Sequence, residues 1–140
     1  MDLILWRHAD AENGAPDLAR RLTPKGREQA ARVAAWLRAR LPERYRLLAS
    51  PALRAQETAG ALNEHFETLK ELAPGATVEA LLKAAANEGT VVVVGHQPDL
   101  GLAIAQLLCG EERDWSVAKG ALWWIANRST VRAVISPDLL

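Results

Sequence analysis

Residues 3–6, 47–49 and 90–94 read Leu-Ile-Leu-Trp, Leu-Leu-Ala and Thr-Val-Val-Val-Val, with almost no polar position among them. A strand with one wet face carries a polar residue at every second position. Runs that lack this alternation suit parallel strands covered on both faces. Helices must then lie above and below the sheet, and their signatures fill the intervals. Thr23-Pro24 joins an N-capping hydroxyl to a proline at the first helical position. Ala30, Val33, Ala34, Leu37 and Leu41 then recur at helical spacing until Pro42. Ser50-Pro51 repeats the start signal, and Ala55, Thr58, Ala59, Leu62 and Phe66 supply the inner face of a second helix. Val78, Leu81, Leu82 and Ala85 mark a third that ends near Gly89, and Leu100, Ala103, Ile104, Leu107 and Leu108 a fourth that ends at Gly110. Residues 121–126 and 131–135 read as two further strands, joined by a tight antiparallel hairpin across 127–130. Residues 68–72 read as a short edge strand or a loop. With right-handed crossovers, this order predicts a three-layer α/β sandwich. Its sheet is mostly parallel, with helices on both faces and an antiparallel C-terminal strand, and one domain spans residues 1–140.

Charge and cysteine content narrow the function classes. The 17 basic and 17 acidic residues cancel, and no polybasic block is present. Neither a nucleic-acid nor an anionic-membrane surface is expected. Cys109 is the only cysteine, so neither a disulfide framework nor a cysteine zinc site can form. Lying in an apolar run, it reads as a buried thiol in a reducing compartment. The opening apolar run meets Arg7 and His8 too soon for a signal peptide, and no segment has the length of a membrane span. A cytoplasmic monomer is expected.

Four residues share one address. Arg7 and His8 leave the end of the first strand, His96 leaves the end of the third, and Arg54 lies in the first turn of the helix after the second. In a parallel sheet these ends lie on one edge, where open α/β sheets bind ligands. Two arginines can hold a phosphoryl group through paired N–H donors. Helix starts at Ser50-Pro51 and Pro98 would add free N–H groups and the positive end of a dipole. A neutral imidazole can attack phosphorus. Each residue also has a plainer reading. His8 and His96 could be packed histidines, and Arg54, Arg20 and Arg21 could face water. A cation in a helix's first turn nevertheless opposes the dipole, a conflict that a bound anion relieves. Asp99 reads as an aid to a helix start, and His65 as a residue that ends a helix. One of Trp123 and Trp124 should pack inward.

Read together, Leu-Trp-Arg-His-Ala (5–9), Leu-Thr-Pro-Lys-Gly (22–26), Ser-Pro-Ala-Leu-Arg-Ala-Gln-Glu-Thr-Ala (50–59) and Val-Gly-His-Gln-Pro (94–98) resemble the histidine phosphatase superfamily, also called phosphoglycerate mutase-like. The short chain, the Arg-His-Ala-Asp start and Asn-Glu-Gly-Thr-Val (87–91) look most like its SixA-type phosphohistidine phosphatases. Ala9 stands where many members have glycine. The resemblance implies that His8 is the nucleophile and that Arg7, Arg54 and His96 complete a phosphate pocket. It also implies that Arg20 lies near the phosphoryl group and that Glu71 falls roughly where larger members carry a proton-donating glutamate. Asp10 and Glu12 are rival donors. No metal and no cofactor are expected, and the partner is a phosphorylated substrate. An alcohol leaves phosphorus badly without a placed acid. Imidazole departs readily as its conjugate acid, with a pKa of about 6.5. Phosphohistidine on a protein is therefore the expected substrate. A broad phosphomonoesterase, a mutase and a non-catalytic phosphoryl-binding module are the alternatives.

Overall fold

The computed structural model describes residues 1–86 and 88–140; Asn87, the first residue of the Asn-Glu-Gly-Thr-Val stretch, lies outside the described residues. Six strands form one sheet: β1 (Leu3–Arg7), β2 (Arg46–Ala49), β3 (Glu67–Thr68), β4 (Val91–Gly95), β5 (Leu122–Ala126) and β6 (Thr130–Ile135). Their order is β3-β2-β4-β1-β5-β6. The first four strands in that order run parallel, and β5 lies antiparallel to β1 and to β6. The helices are α1 (Pro24–Arg38), α2 (Leu53–Leu62), α3 (Val78–Ala84) and α4 (Asp99–Cys109). Among the described residues no helix is long and apolar enough to cross a membrane.

The absence of alternation in the strands has the expected cause. Successive side chains point to opposite faces, and both faces are dry. Leu3, Leu5, Leu48, Val91 and Val93 pack with Leu81 of α3 and Leu100, Ala103 and Ile104 of α4. Ile4, Trp6, Leu47, Ala49, Val92 and Val94 pack with Val33 and Leu37 of α1 and Ala55, Ala59 and Leu62 of α2. Each fully buried aliphatic side chain stabilises the fold by about 1.5–3 kcal/mol. Trp124 is the inward tryptophan, 1% exposed, and Trp123 stacks on Trp115. Asn127 and Arg128 take φ of 51° and 58°, the paired left-handed geometry that joins tight hairpins.

Several local features differ from the sequence expectation, among them the end of α3 at Ala84 rather than near Gly89. α1 stops at Arg38, and Leu41 turns back so that its N–H donates to the Leu37 carbonyl at 2.8 Å. Leu41 precedes Pro42, whose ring disfavours the helical region for it. α2 starts at Leu53, because the Ser50 hydroxyl accepts from the Ala52 N–H at 3.1 Å and holds a turn before the helix. α2 also ends at Leu62, so Phe66 reaches the core from the following loop and His65 lies beyond the helix. Cys109 is exposed rather than buried, because it closes the last turn of α4 beyond the residues that face the sheet.

Candidate active site

The parallel register brings the predicted residues together. Arg7 and Gly95, the last residues of β1 and β4, are paired. His8 is held on both sides of its backbone: its N–H donates to the Gly95 carbonyl at 3.1 Å, and its carbonyl accepts from the Gly120 N–H at 3.0 Å. Its side chain is 7% exposed. His8 Nδ1 lies 2.8 Å from the Ala9 carbonyl. A carbonyl can only accept, so Nδ1 carries the proton and Nε2 keeps a free lone pair.

His96 faces it, with ring centroids 5.2 Å apart. Its Nδ1 lies 3.4 Å from Arg54 Nη2 and its Nε2 2.7 Å from Ser50 Oγ. A guanidinium only donates. His96 Nδ1 is therefore the acceptor, and Nε2–H donates to Ser50. Burial lowers the His8 imidazole to about 4; Arg54, Arg7 and Arg20 push the same way, against the Ala9 carbonyl. Burial also lowers His96 to about 3, with His8, Arg54 and Arg7 adding to the effect and Asp17 opposing it. Both rings are neutral at neutral pH.

The arginines are anchored by their tips. Arg7 Nη1 donates to the Val117 carbonyl at 2.9 Å. Arg54, 4% exposed, donates from Nη1 to the Asp17 carbonyl at 2.9 Å and from Nη2 to Asp17 Oδ2 at 3.2 Å. The Nε–H groups of Arg7 and Arg54 are buried and have no partner among the described residues. An unpaired buried donor costs about 1–3 kcal/mol, and more when charged. Two such donors beside one cavity ask for an anion. Thr58 braces this arrangement: its hydroxyl donates to the Arg54 carbonyl at 2.8 Å and accepts from the Ala9 N–H at 3.1 Å.

Arg7, His8, Arg20, Arg54 and His96 all line one cavity of about 210 Å³, together with Ala11, Asn13, Pro74, Gln97 and Lys119. No carboxyl side chain is among these lining residues. Glu71 is not brought there. It lies exposed on a single 3-10 turn, Lys70–Leu72, next to the short edge strand β3. Asp10 is occupied elsewhere: Oδ2 accepts from the Thr23 hydroxyl at 2.8 Å and Oδ1 from Lys119 Nζ at 3.1 Å. The Thr23 bond, followed by Lys119, holds its carboxyl below the usual range. Glu12 pairs with Arg21 Nε at 3.2 Å. Asp99 lies in the first turn of α4, whose N-cap residue Pro98 makes no side-chain bond, and its carboxylate instead accepts from the Gly75 and Ala76 N–H groups and ties down the loop that carries Pro74. Among the described residues no group of three or more His, Cys, Asp or Glu side chains could hold a metal ion.

Sequence reasoning missed three participants. Ser50, which its neighbour Pro51 marks only as a helix start, receives His96. Asp17 binds Arg54 and Arg20; its position three residues before Arg20 was the available signal. Lys119 at the cavity wall carried no local signal. The assembled groups can hold a phosphoryl dianion and present an unprotonated nitrogen to it.

Comparison with known proteins agrees with this chemistry. The family model described as histidine phosphatase superfamily (branch 1) matches residues 3–77. Phosphohistidine phosphatase SixA of Escherichia coli is 36% identical over 123 residues, 79% of this chain and 76% of that protein. The SixA homolog of Haemophilus influenzae is 34% identical, over 94% of this chain and 93% of the homolog. A solved structure of the protein histidine phosphatase SixA complexed with tungstate superposes with a TM-score of 0.81 at 32% identity, covering 99% of both chains.

Proposed function

Since the chain belongs to the histidine phosphatase superfamily, we propose that it hydrolyses phosphohistidine on a protein through a phosphorylated His8. The observation that carries this reading is the free Nε2 of His8 in one cavity with Arg7 and Arg54, two arginines that each keep a buried, unpartnered Nε–H group. The relatives named as phosphohistidine phosphatases support the substrate. Tungstate in the similar solved structure supports a tetrahedral oxyanion as the group bound.

In the first step His8 Nε2 forms a bond to phosphorus as the P–N bond to the leaving imidazole breaks in line. The leaving nitrogen departs with the electron pair and holds a proton from solvent. In the second step water attacks phosphorus as the Nε2–P bond breaks with its electron pair returning to Nε2; phosphate leaves with one of the water's protons, and the other goes to solvent. Arg7, Arg54 and Arg20 neutralise the equatorial oxygens through both steps, the contribution that phosphoryl transfer chiefly needs. His96, neutral in the free protein, turns its Nε2–H from Ser50 Oγ to a phosphoryl oxygen once the dianion arrives. Glu71 is given no part in these steps, since it stands outside the cavity.

The absence of a carboxyl group among the cavity-lining residues favours a substrate whose leaving group needs no placed acid. A general acid contributes about 10²–10⁴-fold, and alkyl esters should lose that factor here. The reaction belongs to a single domain over residues 1–140 acting as a monomer, with no cofactor. The deciding experiment measures phosphate release from a phosphohistidine-bearing protein beside alkyl and aryl phosphomonoesters. A kcat/KM for the N–P substrate at least a hundredfold above alkyl esters is expected. Equal values would point to a general phosphomonoesterase.

A further inference from the structure

Asp17 has no part in the steps above, yet it is the residue on which two phosphate-pocket arginines converge. It opens a single 3-10 turn, Asp17–Ala19, in the loop between β1 and α1. Its Oδ2 accepts from Arg54 Nη2 at 3.2 Å, and its main-chain carbonyl accepts from Arg54 Nη1 at 2.9 Å. Its Oδ1 accepts from Arg20 Nε at 3.0 Å and pairs with Arg20 Nη2 at 3.0 Å. One carboxylate thus bridges guanidinium groups that reach it from the loop and from α2. The Asp17 side chain is 57% exposed, whereas that of Arg54 is 4% exposed. Asp17 is not among the residues that line the cavity.

A guanidinium is planar. When both Nη atoms are fixed by one residue, the plane is fixed, and so is the direction of the Nε–H bond. That Nε–H is the buried group with no partner. Arg54 Nη2 also reaches His96 Nδ1 at 3.4 Å, and His96 Nε2 reaches Ser50 Oγ at 2.7 Å. Asp17 therefore stands at the head of a chain that orients an arginine and, through it, a histidine.

We propose that Asp17 is a positioning residue for phosphoryl transfer, which aims the Nε edge of Arg54 at the transferring group and ties Arg20 to the same point. This rests on the phosphatase reading above. Two effects of losing the carboxylate oppose each other. The pocket gains positive charge, which favours any phosphate, but a carboxylate more than half exposed is well screened. Arg54 loses its alignment, and small misplacements of a group that acts in the transition state cost about a hundredfold. Positioning should dominate. kcat should fall while KM changes little, because uniform affinity for phosphate is retained.

A double-mutant cycle tests this. Asp17→Ala and Asp17→Asn are made alone and together with Arg54→Ala. kcat and KM are read on p-nitrophenyl phosphate and phosphoramidate, and the affinities for vanadate and inorganic phosphate are measured separately. Asp17→Ala should lower kcat by about 10–100-fold with KM within threefold, and should weaken vanadate more than phosphate. Asp17→Asn, whose amide oxygen can still accept from one arginine, should lie between. On Arg54→Ala, either Asp17 substitution should cost clearly less than in the unsubstituted protein, only the Arg20 tie remaining to be lost. Equal losses in the two backgrounds, or a kcat within about twofold of the unsubstituted protein, would overturn the proposal. Asp17→Asn keeps the shape and reads the cycle if the alanine variant fails to fold. If the unsubstituted protein turns over neither substrate, the phosphatase reading fails, and the vanadate-to-phosphate affinity ratio still decides the role of Asp17.

Discussion

The rings of His8 and His96 stand 5.2 Å apart with their planes tilted by 53°, and their hydrogen bonds run in opposite senses. His8 gives its Nδ1 proton to the Ala9 carbonyl and keeps Nε2 bare. His96 accepts from Arg54 at Nδ1 and keeps its proton on Nε2, toward Ser50. The two neutral histidines thus hold their protons on different nitrogens, with Nε2 bare on His8 and Nε2–H received by Ser50 on His96.

The pH dependence follows from that neutrality. The His8 imidazole is lowered from 6.5 to about 4, and attack needs its unprotonated form. kcat/KM, corrected for ionisation of the substrate, should be level from pH 8 to about pH 5 and fall tenfold per unit below about 4. An inflection near 6.5 would show a solvated nucleophile. Stability has the same sign. In the unfolded chain the histidine takes up protons below about 6.5, so folding stability, fully present above that pH, is lost as the pH drops toward 4. Thermal melting between pH 7 and pH 4 checks this.

His8→Ala should abolish turnover and leave inorganic phosphate binding in place, because the arginines that hold the anion are anchored to Val117 and Asp17 rather than to His8. Rapid quenching of the unsubstituted protein should trap acid-labile phosphate. Near-normal turnover in the variant would remove His8 as nucleophile.

Ser50→Ala should lower kcat by roughly tenfold. It leaves the Nε2–H of His96 without its acceptor at 2.7 Å, at a cost of about 1–3 kcal/mol for a buried unmet donor. Steady-state kinetics checks this, and circular dichroism should show an unchanged fold.

Gly26 and Gly60 should respond oppositely to alanine. A Cβ at Gly26 would lie 1.9 Å from the Asp10 carbonyl oxygen, while one at Gly60 meets nothing within 4 Å. Gly26→Ala should destabilise by about 1–3 kcal/mol and disturb the loop that follows His8. Gly60→Ala, inside α2, should stabilise by about 0.4–1 kcal/mol. Paired urea titrations read both.

Glu71→Gln, Asp10→Asn and Glu12→Gln should leave the ratio of alkyl to aryl ester turnover within about threefold, since a working general acid would contribute about 10²–10⁴-fold and none of the three lines the cavity. A collapse of alkyl-ester turnover in one variant would identify it as the acid.

The glycine of Leu-Thr-Pro-Lys-Gly now has a physical reason. Thr23 caps α1 by accepting from the Gly26 N–H at 3.0 Å, and Gly26 lets the helix press on the Asp10 backbone. The cap was legible from adjacent letters; the close approach was not.

The chain order and the apolar runs determined the layered α/β fold, because a strand apolar at both parities needs cover on both faces. The same runs determined that Arg7, His8, Arg54 and His96 meet, because parallel strands end on one edge. Only the tertiary structure decided what those residues touch. Asp17 reaches Arg54 across 37 positions, Ser50 reaches His96 across 46, and the Val117 carbonyl reaches Arg7 across 110. It also decided that Glu71 stays outside the cavity and that Cys109 faces out. Periodicity records only neighbours within a helical turn or along a strand. The hydrogen bonds that select a tautomer or aim a guanidinium join loops whose meeting depends on how the whole sheet is packed.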